Sequence, residues 1–345
     1  MKFKNICVLG GSGFVGANIV RILAAQGRNV RVLTRNRERA KALIVLPTVE
    51  VIDADIHEPA QLKQYFGGMD AVINLVGILH EMRLGRIDKP AARRGDFQHV
   101  HVELPRKVIH ACTENGIQRL LHMSALGASG TSNSAYQRSK GIGEALVREA
   151  GMPHSDNERW YLDGPKFVRG AKLYSTIFRP SVIFGRGDSF LSMFARLAQI
   201  FPLIPLANPD ARFQPVWVED VARAYANALD DTGSFGQTYD VCGPRVYTLQ
   251  ELVTLAANAV NAHPRIIPLG DRLSYLQAWT MEFMPGKKIM TRDNYYALQV
   301  DNICSGEFPQ PPAHKPAALE AVVPEYLDGD HPRGRYQAFR NRAGR

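Results

Sequence analysis

Residues 134–140 read SAYQRSK, which places Lys140 four positions after Tyr136. On a helix, positions i and i+4 share one face. An ammonium beside a phenol favours the phenolate and lowers the phenol pKa from about 10. Tyr136 then becomes a proton donor or acceptor that is usable near neutral pH. Ser124 follows the apolar segment RLLHM and precedes Tyr136. A hydroxyl at that point could polarise a carbonyl oxygen. Ser124, Tyr136 and Lys140 are therefore the candidate catalytic set. The Tyr-x-x-x-Lys spacing is common by chance, so the elements that carry it must give it meaning.

The first such element is VLGGSGFVGANIV at residues 8–20. Glycine is poor inside helices and strands, so a glycine cluster between a strand and a helix marks a special turn. Gly10, Gly13 and Gly16 are spaced GxxGxxG, and Gly11, Gly13 and Gly16 also satisfy GxGxxG. Phe14 and Val15, within this turn, join Gly10, Gly13 and Gly16 as candidate cofactor-binding residues. Such a turn brings backbone amides and the positive end of a helix against a pyrophosphate. The second strand ends in Leu33-Thr34-Arg35-Asn36-Arg37, with no acid to hold a ribose 2′-hydroxyl. Arg35 is placed to pair with a 2′-phosphate, so NADP(H) is the preferred cofactor and NAD(H) stays open. Asp55 and Ile56, in DADI at 53–56, could receive an adenine ring, or Asp55 could cap the helix that begins near Pro59. Val76 and Gly77 end the fourth strand, where a glycine allows close approach to a ribose.

These motifs fall on a regular alternation. Apolar runs at 6–9, 29–33, 49–52, 71–76, 119–123 and 174–178 predict strands, and helical spacing at 17–26, 37–42, 59–66 and 102–114 lies between them. The order predicts an α/β protein with a doubly wound parallel sheet of Rossmann type. The expected organisation is a dinucleotide-binding domain over 1–185, with an insertion near 151–170. A smaller C-terminal α/β substrate lobe covers 186–305, with helices at 190–200, 218–229 and 249–261 and a strand at 238–241 returning to the sheet. A poorly packed Pro/Arg-rich tail covers 306–345. The stretch ARLAQIFPLIPL at 195–206 could line a pocket for a hydrophobic carbonyl such as a quinone, or be ordinary core.

Composition is that of a globular chain, 345 residues with 45% hydrophobic and 22% charged. The formal charge of +9 suits a phosphorylated cofactor or an anionic surface. No stripe of aromatic and basic residues accompanies it, so nucleic acid is not an expected partner. The four cysteines, Cys7, Cys112, Cys242 and Cys304, form no CxxC pair. They read as free thiols of a cytoplasmic protein, and no metal site is expected. No secretory leader or membrane span is visible.

The chain resembles the short-chain dehydrogenase/reductase superfamily, in its extended or atypical branch. GGSGFVG at 10–16, DADI at 53–56, NLVG at 74–77, HMSALGA at 122–128, YQRSK at 136–140 and FRPSVIFG at 178–185 carry the likeness. FRPSVIFGRGDSF at 178–190, QPVWVEDVA at 214–222, VCGP at 241–244 and IMTRDN at 289–294 are similar to the family of the nucleotide-binding accessory subunit of respiratory complex I and its bacterial relatives. The likeness covers roughly residues 3–302. It implies bound NADP(H) or NAD(H), with Pro180 and its neighbours flanking the nicotinamide end. It also implies either hydride transfer to or from a carbonyl or alcohol, or a non-catalytic accessory role. With that role comes a protein complex or a peripheral place at the cytoplasmic face of the inner membrane. Two departures stand out. Residues 151–170 have no counterpart, and FQHVHVE at 97–103 has His99 and His101 where sugar-nucleotide members carry an asparagine. Both histidines read as helix-surface or packing residues.

Overall fold

The computed structural model describes residues 2–81, 96–150, 173–284, 288–307 and 309–327. The proposed insertion at 151–170 lies outside them. In chain order the strands and helices of the first half are β1 Asn5–Leu9, α1 Phe14–Ala25, β2 Asn29–Thr34, α2 Lys41–Ile44, β3 Val49–Asp53, α3 Pro59–Phe66, β4 Ala71–Asn74, α4 Leu104–Glu114, β5 Arg119–Met123, α5 Ala135–Ala150 and β6 Tyr174–Pro180. There follow β7 Ile183–Phe184, α6 Leu191–Ile200, β8 Leu203–Ala207, β9 Arg212–Phe213, β10 Val216–Trp217, α7 Val218–Asp230, β11 Thr238–Val241, β12 Tyr247–Thr248, α8 Leu249–Asn258, β13 Arg265–Leu269, α9 Asp271–Met281, α10 Arg292–Ala297 and α11 Leu319–Leu327. The chain divides into two compact units. One comprises 1–179, 221–240 and 308–312, and the other 180–220, 241–307 and 313–345.

The first unit is built on a seven-stranded sheet in the order β11-β6-β5-β4-β1-β2-β3, as the alternation of apolar runs predicts. Every pairing from β3 across to β6 is parallel. Parallel strands covered on both faces read as continuous apolar runs, and ICVL and AVI are fully buried. The chain order reverses between β1 and β4, which makes the carboxyl ends of these strands the topological switch point. One core face packs Cys7, Leu62, Phe66, Val72, Val108 and Cys112. Arg119 is fully buried here. Its guanidinium donates to the carbonyls of Ala228 (2.7 Å), Leu229 (3.3 Å) and Tyr174 (2.9 Å) and to Ser234 Oγ (2.8 Å), so it satisfies the last carbonyls of α7.

Among its described residues the second unit has no large sheet of its own. Its strands pair in twos: β7 with β10 and β8 with β13 in parallel, β9 with β12 antiparallel. Its core joins Phe184, Leu191, Phe194, Leu252, Val253 and Leu319. Two expectations are corrected here. Within the expected tail, Leu319, Val322 and Val323 form a buried helical stripe on α11. The cysteines are not all free either. Cys242 and Cys304 form a disulfide with a Cα–Cα distance of 6.2 Å, while Cys7 and Cys112 stay free and buried. Burial pushes the Cys7 thiol up to about 12, so it is inert as a nucleophile. The stretch at 195–206 also splits: Ala195, Ala198, Ile204 and Leu206 are core, while Ile200, Phe201 and Leu203 are exposed.

The disulfide gives the first prediction. Denatured without reductant, the chain should show two reactive thiols, and after reduction four. Its bonded cysteines are 62 residues apart, so Cys304→Ser should lower stability by about 4 kcal/mol on loop-closure grounds, read as a shifted denaturant midpoint. Equal thiol counts before and after reduction would refute the pairing.

Candidate functional site

The glycine turn follows β1 directly. Gly10 adopts φ +77°, a left-handed conformation that suits glycine, and the Gly13 amide donates to the Gly10 carbonyl at 3.0 Å. A Cβ on Gly16 would lie 2.2 Å from that same carbonyl oxygen and 2.6 Å from Gly11 Cα. Any larger residue at 16 would drive α1 away from the turn. Gly13 is the N-cap of α1, is exposed, and supplies no side-chain cap; the first turn, opened by Phe14 and Val15, carries no acid. The amides at this helix start are therefore presented without a competing carboxylate, the arrangement an anionic phosphate needs.

The loop after β4 meets this turn and, further on, Lys140. A Cβ on Gly10 would be 3.3 Å from the Leu75 carbonyl carbon and 3.4 Å from Val76 N, so the ends of β1 and β4 are in close approach. A Cβ on Gly77 would be 3.1 Å from Lys140 Nζ and 3.6 Å from His101 Nε2. The glycine expected to admit a ribose thus also leaves room for Lys140. Lys140 is buried, and its ammonium donates to the Met123 carbonyl at 2.9 Å. Burial lowers its pKa to about 8, against the opposing pull of Glu144. Ser124, the next residue, donates its N–H to Phe178 O at 2.8 Å; its hydroxyl is buried with no hydrogen-bond partner among the described residues. A buried unpaired hydroxyl is costly in a folded protein and is usually satisfied by a bound group or water. Tyr136 is half-buried one turn before Lys140 on α5. Its ring packs edge-on against His101 at 5.6 Å and against Phe97 at 5.9 Å.

Of the two readings of His101, surface or packing, the structure has packing, and it adds hydrogen bonds that the sequence did not show. Gln98–Glu103 forms a π-helical turn ahead of α4. His101 in this turn is buried rather than on the surface. The Ile78 N–H donates to its Nε2 at 3.1 Å, so the proton lies on Nδ1 and is donated to Ser139 Oγ at 2.9 Å. Ser139 in turn donates to the Tyr136 carbonyl at 2.8 Å. His122 on β5 is buried beside Asn74, whose Oδ1 accepts from Val76 N–H; the Asn74 amide therefore donates to His122 Nδ1 at 3.3 Å. Burial, with help from the Lys140 ammonium, lowers His101 to about 2 and His122 to about 3. A His-x-His spacing just before a helix was the available signal.

At the other end, Arg35 is exposed just after β2. Its neighbours are held by Ser12 Oγ to Thr34 Oγ1 (3.2 Å) and by Asn36, which caps the next turn at Glu38 N (3.0 Å). Asp55 Oδ1 accepts from His57 N–H at 3.1 Å, an Asx turn, and the N-cap of α3 is Glu58 rather than Asp55. Ile56 is buried in the core. His57 stacks on His99 at 4.1 Å, and its pKa falls to about 4, chiefly through burial and then through His99, with smaller lowering contributions from Lys107 and Arg35. His99 also pairs with Glu103 at 2.6 Å. The Arg35 and Lys107 charges thus both reach His57 and help to keep it neutral. Pro180 is the buried last residue of β6 and belongs to the second unit.

A glycine turn at the switch point of a doubly wound sheet, with Ser124, Tyr136 and Lys140 around the end of β5, defines the extended short-chain dehydrogenase/reductase class of fold. Residues 6–242 match the NAD dependent epimerase/dehydratase family, and the chain belongs to it. It is 28% identical over 313 residues to subunit 9 of the NADH dehydrogenase [ubiquinone] 1 alpha subcomplex, mitochondrial, of Arabidopsis thaliana, covering 86% of this chain and 70% of that one. It is also 28% identical over 268 residues to a ceramide reductase of Caulobacter vibrioides, covering 77% and 74%. The dTDP-glucose 4,6-dehydratase DesIV of Streptomyces venezuelae, solved with NAD, shares the fold at TM-score 0.66 and 18% identity, covering 98% of each chain.

Two tests follow from this geometry. Gly16→Ala forces its new methyl into the Gly10 carbonyl, so nucleotide-dependent stabilisation in a thermal-shift assay should be lost. The histidines give a pH dependence. His101 and His122 titrate below their unfolded value near 6.5, so their stabilising contribution is complete above that pH and is lost as pH falls toward 3 and 2. Each should remove up to about 1.4 kcal/mol per pH unit below 6.5. Urea midpoints measured from pH 7 to pH 5 should fall steeply for the wild type, with a shallower slope for His122→Gln.

Proposed function

We propose that the protein binds a pyridine nucleotide, NADP(H) in preference to NAD(H), and transfers hydride to or from a carbonyl or alcohol carbon. The observation that carries this reading is the buried Ser124 hydroxyl beside the carbonyl that holds Lys140, at the strand ends next to the glycine turn. The nicotinamide supplies or accepts the hydride. Ser124 Oγ orients the substrate oxygen by donating to it. Tyr136 gives its proton to that oxygen on reduction and takes it back on oxidation. Lys140 holds positive charge up to about pH 8 one turn away on the same face, favouring the phenolate. Arg35, helped by the positive charge of Lys107, receives the 2′-phosphate, and Val76 and Gly77 flank the ribose.

A second reading rests on the likeness to complex I accessory subunits. There the same residues hold the nucleotide as a structural group within a protein complex, without turnover. One experiment separates the two. NADPH and NADH are titrated by nicotinamide fluorescence, and oxidation is followed with quinones, aldehydes and ketones. For the enzyme, Tyr136→Phe should lower turnover by about 100-fold or more with little change in NADPH affinity. Arg35→Ala should weaken NADPH by roughly 10-fold and leave NADH unchanged. Tight binding with no turnover on any carbonyl selects the accessory reading. No binding of either nucleotide rejects both.

A further inference from the structure

α9 is turned inside out for a surface helix. The residues it buries are Ser274 and Ala278, one turn apart and small. It is attached by Gln277 Nε2 donating to Pro205 O of β8 at 2.9 Å and by Tyr295 Oη donating to Asp271 at 2.5 Å. Its large apolar residues face outward: Leu273 is 57% exposed, Leu276 50% and Trp279 43%, and Phe283 beyond its end is 70% exposed. The spacing 273, 276, 279 and 283 puts them on one helical face. Leu203 of β8, Ile267 of β13, and Ile200 and Phe201 at the end of α6 are exposed in the same unit. Large apolar residues gathered outward on one helix face mark an interaction site.

The charges beside it are mainly basic. Residues 265–293 contain five basic and three acidic side chains. Glu282 pairs with Arg292 at 2.9 Å, while Asp271 accepts from the neutral Tyr295 hydroxyl and keeps its charge. Arg265 and Arg272 are exposed, and Lys288 donates only to the neutral carbonyls of Glu282 and Met284 in the contacts seen, so its charge is not neutralised by them. Outward Leu, Trp and Phe with a basic rim are the chemistry of a helix that lies in a headgroup layer. No helix among the described residues is long and apolar enough to cross a membrane, so contact of this kind is at the surface.

We propose that the outward face of α9, with Phe283 and the exposed end of α6, docks on an anionic lipid bilayer. The test needs no nucleotide. The full chain is floated with phosphatidylcholine vesicles, with and without phosphatidylglycerol. It should float with the anionic vesicles, less so as salt rises, and tryptophan emission should shift to the blue; the shift should vanish in Trp279→Phe. A Trp279→Ser/Phe283→Ser double variant, checked to unfold at the wild-type temperature, should bind at least about 10-fold less. Arg265→Gln/Arg272→Gln should reduce binding to anionic vesicles alone. The single Phe283→Ser variant serves if the double does not fold. Absence of flotation overturns the proposal, as does flotation that these changes leave intact. A soluble oligomer that the Trp279/Phe283 changes dissociate overturns it in favour of a second copy.

Discussion

A buried ammonium organises the first unit. Lys140 is sequestered from water, and the cost of that burial shows in a pKa near 8. The Met123 carbonyl, at the last residue of β5, offsets part of it. That single bond ties α5 to the carboxyl edge of the sheet and so fixes where Tyr136, one turn away, is presented. The constraint spreads outward. Gly77 has no side chain where Lys140 Nζ would meet one, and the two imidazoles that border the ammonium are held neutral. A second cation there would add like-charge repulsion to an already desolvated charge.

The π-helical turn is the device that brings one of those imidazoles inward. Pro105 has no N–H to give to the His101 carbonyl four residues earlier, so regular α-helical bonding cannot run through this point. Leu104 N–H bonds instead to His99 O, five residues back. The widened turn leaves the His101 carbonyl facing α5, where a Cβ on Gly143 would stand 1.9 Å away. Glycine at 143 therefore lets α5 come close enough for His101 Nδ1 to reach Ser139. The His101–Ser139–Tyr136 chain links the loop after β4 to the backbone of α5. Where an asparagine amide would be both donor and acceptor, this neutral imidazole supplies the same pair through its two nitrogens.

The sheet and the glycine turn were legible because each is written locally: buried parallel strands as unbroken apolar runs, the turn as glycines that backbone contacts make obligatory. Tyr136 and Lys140 were legible as a pair because a helix converts spacing into a shared face. The histidines were not, since nothing in FQHVHVE says that His101 points inward; that follows from Pro105 and from Gly143, some forty residues on. The disulfide was hidden for a similar reason, its cysteines being 62 residues apart. α11 was obscured by the prolines around it, although Leu319, Val322 and Val323 already had helical spacing. α9 defeats periodicity altogether, because its inward face is marked by Ser274 and Ala278 rather than by its large apolar residues.

The second unit shows why its pattern was faint. With strands that pair only in twos, it depends on side chains that bond to distant backbone. Asn302 Oδ1 accepts from Ser181 Oγ (2.7 Å) and Val182 N–H (3.1 Å), while its carbonyl accepts from Gln214 N–H (3.0 Å). Gln214 then donates to Gly243 O (2.8 Å) and accepts from Cys304 N–H (3.0 Å). Two amide side chains thus gather four segments of which only two, at β7 and β10, share a ladder, and the Cys242–Cys304 bond closes the same knot covalently. Bonds of this kind have no period, so hydrophobic patterning is silent about them. They also act as a unit: losing one amide leaves several buried partners unpaired, at about 1–3 kcal/mol for each. The helices of this unit share an apolar core of Phe184, Leu191, Leu252 and Leu319, and these polar bonds add the order of the segments between them.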